Sequence, residues 1–328
     1  MTQIRFDVTG VGNAIVDVIA PCSEAFLTEN RIEKGAMTLI DEARATELYA
    51  KMADGKEVSG GSAANTLAGV ASLGGRGAYI GKVADDALGT SFTRDLNAAG
   101  VDYATAPLSG GPATARCLIN VTPDAQRSMS TFLGASVMFD EADIDAEKIR
   151  AAEITFMEGY LFDRDAAKAA FVSAAEIARA ADRRTALTLS DTFCVDRHRA
   201  SFRQLVRNHI DILLANEAEI MALYETDDFE LALASVRAET RLAAVTRSEK
   251  GAVIVCGDET EEVAAKTVDT VVDTTGAGDL FAAGFLLGAA RGQSLYESGR
   301  MGVIAAAEVI SHYGARPETR LEDLVAEG

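Results

Sequence analysis

Asp273-Thr274-Thr275-Gly276-Ala277-Gly278-Asp279-Leu280-Phe281-Ala282-Ala283-Gly284-Phe285 is the stretch that says most about this chain. Three small residues, Gly276, Ala277 and Gly278, stand directly before an apolar run, residues 280–290, that contains no proline and reads as a buried helix. Small residues at a helix start leave backbone N–H groups free and let them approach a ligand closely, which suits an anion. Asp279 lies inside that setting, where a carboxylate is electrostatically costly. The work that fits it is to take a proton from a hydroxyl while the N–H groups hold the charge of a transferring phosphoryl group. The residues alone leave a second reading open, a glycine-rich turn before a core helix with Asp279 as a helix-start carboxylate.

Outward from this stretch, strand-like and helical runs alternate. Residues 4–12, 77–83, 154–159, 185–190, 210–215, 242–246 and 252–256 read as strands, and residues 62–73, 87–99, 164–181, 277–290 and 295–311 as helices. Strands apolar on both faces, separated by helices, predict an α/β fold with a mostly parallel central sheet flanked by helices. Two stretches break the rhythm. Residues 15–58 mix strand and helix material around Lys34-Gly35-Ala36-Met37-Thr38-Leu39, and residues 114–133 read as two strands about a turn at Pro123-Asp124. Together they predict a small, discontinuous β-rich lid. Residues 1–14, 59–113 and 134–328 then form the large domain.

The composition narrows the function. The chain has 328 residues, 48 % hydrophobic and 25 % charged, an ordinary globular balance. Its net charge of −19 disfavours nucleic acid and anionic membrane surfaces as partners. The same field repels a free nucleotide, so local Arg, Lys or Mg²⁺ must compensate wherever one binds. Cys22, Cys117, Cys194 and Cys256 are scattered, as are His198, His209 and His312, which argues against a structural zinc site. No apolar stretch reaches the roughly 18 residues that span a bilayer, and the expected location is the cytoplasm.

Gly10-Val11-Gly12-Asn13-Ala14-Ile15 begins like a dinucleotide-binding turn, but Ile15 stands where the third glycine belongs and the following residues read as extended. A P-loop string is also absent from the sequence. Gly60-Gly61-Ser62-Ala63-Ala64-Asn65 leads into the helix at 62–73. Its glycines permit close backbone approach to a substrate, and Asn65 offers both a donor and an acceptor. The alternative is Ser62 as an N-cap with Asn65 one turn later.

The string at 273–279 closely resembles the C-terminal signature of the PfkB/ribokinase-like carbohydrate kinases, Asp-Thr-x-Gly-Ala-Gly-Asp. The resemblance extends over residues 12–317. It implies a ribokinase-like fold with Asp279 as catalytic base and Gly276, Ala277 and Gly278 as anion hole. By the same resemblance Asp17, in Gly12-Asn13-Ala14-Ile15-Val16-Asp17, accepts hydrogen bonds from sugar hydroxyls, and a carboxylate suits a vicinal ribose diol. Asn13, Gly60, Gly61 and Asn65 complete that end. Arg127, in the lid hairpin, is the candidate to reach the transferring phosphate, against the alternative of an exposed hairpin arginine.

Asn216-Glu217-Ala218-Glu219 matches an Asn-x-x-Glu that the family uses near Mg²⁺ and phosphates. Asn216 and Glu219 are therefore the metal-side candidates, with a capping carboxylate as the plain alternative. Thr246-Arg247-Ser248-Glu249-Lys250-Gly251 occupies the nucleotide loop, with Ser248 where glycine is usual. Thr246, Arg247 and Gly251, together with Asn216 and Gly278, are the nucleotide-side candidates. In Gly81-Lys82-Val83-Ala84-Asp85-Asp86-Ala87-Leu88-Gly89, Ala84 replaces another family glycine.

Several segments look most like the adenosine-kinase branch, and Met37, Leu133, Phe162 and Phe193 are candidate walls for a base, or else core residues. The implied reaction is transfer of the γ-phosphate of ATP to the 5′-hydroxyl of a nucleoside, adenosine first. The cofactors are ATP and Mg²⁺, with a monovalent cation such as K⁺ as a further candidate. The partners are the small-molecule acceptor and ATP, and the chain is expected as a monomer or homodimer. A free-sugar kinase of the same family and a non-catalytic ligand-binding protein on the same fold are the alternatives.

Overall fold

The computed structural model describes residues 3–52, 55–124 and 126–327. Met1, Thr2, Ala53, Asp54, Ala125 and Gly328, which fall inside the expected domain boundaries, lie outside the described residues. The larger of two sheets runs, edge to edge, Glu259–Val263, Ala252–Cys256, Leu242–Thr246, Ile212–Asn216, Arg184–Thr188, Ala152–Glu158, Phe6–Val11, Gly77–Ile80 and Val101–Tyr103. Pairing is parallel from Val101–Tyr103 through Leu242–Thr246, and the two remaining strands join antiparallel. This is the mostly parallel α/β sheet that the alternation predicts.

Its strands alternate between two cores. Ile212, Leu214, Ile154 and Phe156 pack on one face with the helices Ser62–Ser72 and Ala277–Ala290. Leu213, Met157, Leu187 and Val245 pack on the other with Asp165–Ala180 and Thr192–His209. Strands covered on both faces are why these segments read as continuous apolar runs. Two edge strands, Val101–Tyr103 and Glu259–Val263, and the helices Thr192–His209 and Phe229–Glu239 go beyond the sequence reading. The first helix is rich in arginine, and the Glu-Thr-Glu-Glu-Val strand is polar, so neither carries a clear apolar period.

Glycines let the helices of the first core touch. A Cβ on Gly284 would lie 2.4 Å from the Met301 carbonyl carbon in the helix Leu295–Val309, and one on Gly69 would lie 2.6 Å from Ala283 Cβ. The Gly69 contact sets the helices Ser62–Ser72 and Ala277–Ala290 side by side, N-terminus near N-terminus.

The smaller sheet has five strands in the order Met37–Leu39, Arg127–Phe132, Ala115–Val121, Ile15–Pro21 and Lys56–Gly60. Val16, Val18, Ala20 and Leu118 point from one face into the core with Leu48 and Met52. The register places Asp17, Cys117, Thr131 and Leu39 in one row across the other face.

Candidate active site

The carboxyl ends of the parallel strands and the second face of the small sheet meet at the start of the helix Ala277–Ala290. Gly276 caps this helix with φ 82°, and no side chain bonds its first turn. A Cβ on Gly276 would lie 2.8 Å from Ala315 Cα, so glycine is required by both conformation and space. The Ala277 N–H is committed to the Thr274 carbonyl at 3.2 Å. The amides of this turn that donate no hydrogen bond to any described residue are those of Gly276, Gly278 and Asp279. A Cβ on Gly278 would meet nothing within 4 Å, so open space lies over this turn.

Asp279 is gripped from the neighbouring helix. Ser62 Oγ donates to one carboxylate oxygen at 2.6 Å and Asn65 Nδ2 to the other at 3.0 Å. The N-cap of that helix is Gly61, with φ 94°, and not Ser62, whose hydroxyl turns to Asp279 instead. Burial pushes the Asp279 carboxyl up, opposed by these two hydrogen bonds and by the charge of Arg316.

Asp17 accepts no hydrogen bond from any described residue and faces the same space. Burial lifts its carboxyl to about 6, while Arg127 and Arg316 pull it down and Asp279 pushes it up. Gly60 makes room for it, since a Cβ there would lie 2.4 Å from Asp17 Oδ2. A Cβ on Gly61 would lie 2.2 Å from the Asn13 carbonyl oxygen. Arg127 crosses from the small-sheet strand Arg127–Phe132 to the signature string, paired with Asp273 and donating to Thr275 Oγ1 at 3.1 Å. Asp273 also accepts from the Gly314 N–H at 3.0 Å, so it ties the small sheet, the signature turn and the C-terminal segment together.

Two residues of this site escape sequence reasoning. Glu158 is buried, and accepts from Asn13 Nδ2 at 2.9 Å and from the Ala63 N–H at 2.8 Å. Burial lifts its carboxyl to about 7. It anchors the first turn of the helix that holds Asp279, and a Cβ on Gly12 would lie 2.3 Å from it. Arg316 donates to the Ser59 carbonyl at 2.7 Å, while its Nη1 is buried without a partner. A lone acid ending an apolar strand carries no motif, and the family-like tail Tyr313-Gly314-Ala315-Arg316-Pro317 assigns its arginine no role.

At the far end of the edge, Asn216 and Thr246 are register partners. Asn216 and Glu219 form a reciprocal capping box: Glu219 accepts from Asn216 Nδ2 at 2.6 Å and from its N–H at 3.0 Å. Burial lifts the Glu219 carboxyl to about 7. Among the described residues no three His, Cys, Asp or Glu cluster as a metal cage. This donor set fits Mg²⁺ held through water and nucleotide phosphates, its usual mode, and does not fit an all-protein site.

Arg247 is already paired with Glu217 and lies 3.8 Å over the Phe229 ring. Gly251 has φ 87°, and a Cβ there would strike the Val263 carbonyl oxygen at 2.0 Å. Ser248 keeps the left-handed backbone, φ 51°, that its glycine counterpart would supply. Ala84 has no positive φ, so its side chain costs the turn nothing.

Two strands along the row from Asp17, at Thr131, a pocket of about 450 Å³ opens between Leu39, Ile40, Phe132, Leu133 and Met138. Met37 lies on the same sheet face and is exposed. Phe162, expected as a wall, is instead a core side chain. Its ring stacks on Phe202 with centroids 4.6 Å apart, because the short helix Gly159–Asp163 turns it under the sheet. Phe193 is 73 % exposed at the start of its helix. Among the described residues no helix is long and apolar enough to cross a membrane.

Residues 35–321 match the pfkB family carbohydrate kinase profile. The structure superposes on the adenosine kinase of Sinorhizobium meliloti with a TM-score of 0.90 and 52 % identity, over 98 % of this chain and 99 % of that one. It superposes on the probable sugar kinase protein of Rhizobium etli CFN 42 with a TM-score of 0.91 and 50 % identity, over 99 % of both chains. In sequence it is 26 % identical to the adenosine kinase of Saccharomyces cerevisiae over 328 residues, 93 % of this chain and 94 % of that one. With the profile covering most of its length and whole-chain likeness at half identity, the chain belongs to the pfkB family of carbohydrate kinases, and its chemistry is phosphoryl transfer to an alcohol group.

Proposed function

We propose that this kinase transfers the γ-phosphate of ATP to the 5′-hydroxyl of a nucleoside, with adenosine as the preferred acceptor. The observation that carries the acceptor is the row Asp17, Cys117, Thr131, Leu39 across the small sheet. It runs from a carboxylate without hydrogen bonds to any described residue to the apolar pocket that Thr131 and Leu39 line at the other end of the row. A diol on Asp17 leaves the rest of the ligand over Leu39, Leu133 and Met37, where a planar base is welcome and a free sugar has nothing to place. The 52 % identity to an adenosine kinase supports the same reading. The likeness to sugar kinases keeps a free-sugar acceptor as the second reading.

In this reading Asp17, Asn13, Gly60, Gly61 and Asn65 hold the ribose, and Asp279 takes the proton of the attacking hydroxyl. Ser62 and Asn65 aim the carboxylate. The amides of Gly276, Gly278 and Asp279 receive the charge of the transferring group. Arg127 closes that side by exchanging Asp273 for a phosphate oxygen. ATP lies along Asn216, Thr246 and Gly251, and Asn216 and Glu219 would hold the metal through its water. Bound Mg²⁺ neutralises charge on the β- and γ-phosphates.

Burying a base removes about 100 Å² of largely apolar surface at roughly 25 cal/mol per Å², on the order of 2 kcal/mol. Adenosine is therefore expected to exceed ribose and fructose in kcat/KM by roughly tenfold or more, measured as ADP release over a panel of nucleosides and sugars. Met37→Asp should narrow that margin. If ribose or fructose outperforms every nucleoside, the acceptor is a free sugar.

The raised carboxyls set a pH dependence. Asp17 and Asp279 act ionised and both lie above their ordinary range, Asp17 at about 6. Lowering the pH through that range protonates them, so kcat/KM for the acceptor should fall on the acid side from about pH 6, and not only near 4. A pH–rate profile flat to pH 4.5 would contradict this assignment of charge.

A further inference from the structure

Where the strands Arg184–Thr188, Ile212–Asn216 and Leu242–Thr246 begin, at the opposite edge of the large sheet from the cleft, a second pocket of about 180 Å³ opens. Four arginines line it, among them Arg179, Arg184 and Arg241, together with His209; its acids are Asp182 and Asp211. In a chain of net charge −19, four arginines stand here against Asp182, Asp211 and Glu153, which pairs with Arg184 at 3.4 Å, and the balance is still locally positive.

The neighbours account for part of this cluster. Asp211 accepts from the Thr185 N–H at 2.9 Å and the Thr185 hydroxyl at 3.1 Å. Arg184 donates to the Ala289 carbonyl at 2.9 Å, and Arg179 to the Asn208 carbonyl. Two groups are left over. Arg241 makes no hydrogen bond or ion pair with any described residue, and His209 Nδ1 is buried without a partner. Arg241 is exposed with a free guanidinium, and the buried His209 ring nitrogen on the same pocket wall lacks a partner; a tetrahedral oxyanion suits both. The fork of Arg241 takes two oxygens and His209 donates to a third.

We propose that this pocket binds a phosphate group, either as inorganic phosphate or as the head of a small phosphomonoester. The volume equals about six waters at their liquid share of ~30 Å³, enough for phosphate and too little for a nucleotide. Strands of five residues at about 3.3 Å each separate this edge from the catalytic one by roughly 16 Å. The bound group is therefore not the one being transferred.

The test is calorimetric titration of inorganic phosphate into the protein saturated with a non-hydrolysable ATP analogue, which fills the phosphate positions of the cleft. One saturable binding event is expected. Arg241→Glu, a surface change, should weaken it at least tenfold, and His209→Gln should also weaken it, with kcat/KM for ATP unchanged in both. Repeating the titration with methyl phosphate, a phosphomonoester with no sugar for the cleft to take, separates the sources. Equal or tighter binding assigns the site to phosphomonoesters, and binding of phosphate alone assigns it to the inorganic ion. No heat with the cleft filled, or an unchanged affinity in Arg241→Glu, overturns the proposal. Neither outcome depends on which acceptor the kinase uses.

Discussion

Asp279→Asn is expected to lower kcat by about 10² to 10⁴, the usual loss for a general base, while leaving the fold and ligand binding intact. The neighbourhood explains why the change is clean. Ser62 Oγ can still donate to the remaining oxygen, in its place at 2.6 Å. The new amide would face Asn65 Nδ2, donor against donor, but Asn65 Oδ1 is buried without a partner. Turning the Asn65 amide over therefore restores the pair with no repacking. The substitution removes basicity and little else. The check is steady-state kinetics beside calorimetric binding of ATP and acceptor. A kcat within tenfold of the parent would refute Asp279 as the base, and lost binding with it would place the residue in substrate capture.

Asp17→Ala should raise KM for the acceptor by roughly tenfold to a hundredfold, with KM for ATP nearly unchanged. A hydrogen bond to a charged group is worth about 1.5 to 3 kcal/mol, and in the proposed reading a diol loses its acceptor here. The free protein should not lose thermal stability, because Asp17 supports no hydrogen bond in the fold and its burial disfavours its charge. This separates the two roles a buried carboxylate can have. A structural carboxylate lowers Tm when removed, whereas a binding one leaves Tm level and moves KM. An ATP-specific defect would reverse the assignment of the two ends of the cleft.

What was legible in the sequence follows from local physics. The stretch at 273–285 needs only its own composition to announce a bare helix start, and the helix Ala277–Ala290 begins there. Strands buried on both faces print their apolar runs directly, so the large sheet could be read, whereas the polar edge strand Glu259–Val263 and the arginine-rich helix Thr192–His209 could not. Gly60 and Gly61 announce close approach, but only the fold shows against what: the Asp17 carboxylate for one and the Asn13 carbonyl for the other.

Tertiary structure alone decided how the candidates divide. Ser62 reads as an N-cap and becomes a ligand of Asp279, because Gly69 lets two helices touch. Phe162 reads as a pocket wall and becomes core, because an aromatic ring looks the same in sequence whichever side of a sheet it faces. Glu158 and Arg316 lie far along the chain from Asn13 and Ser59, the residues they hold. The chain itself thus determined the elements and the chemical types, through short-range period and backbone freedom. The packing of distant segments determined which of those groups share one low-dielectric cleft, and so which are charged, oriented and able to act.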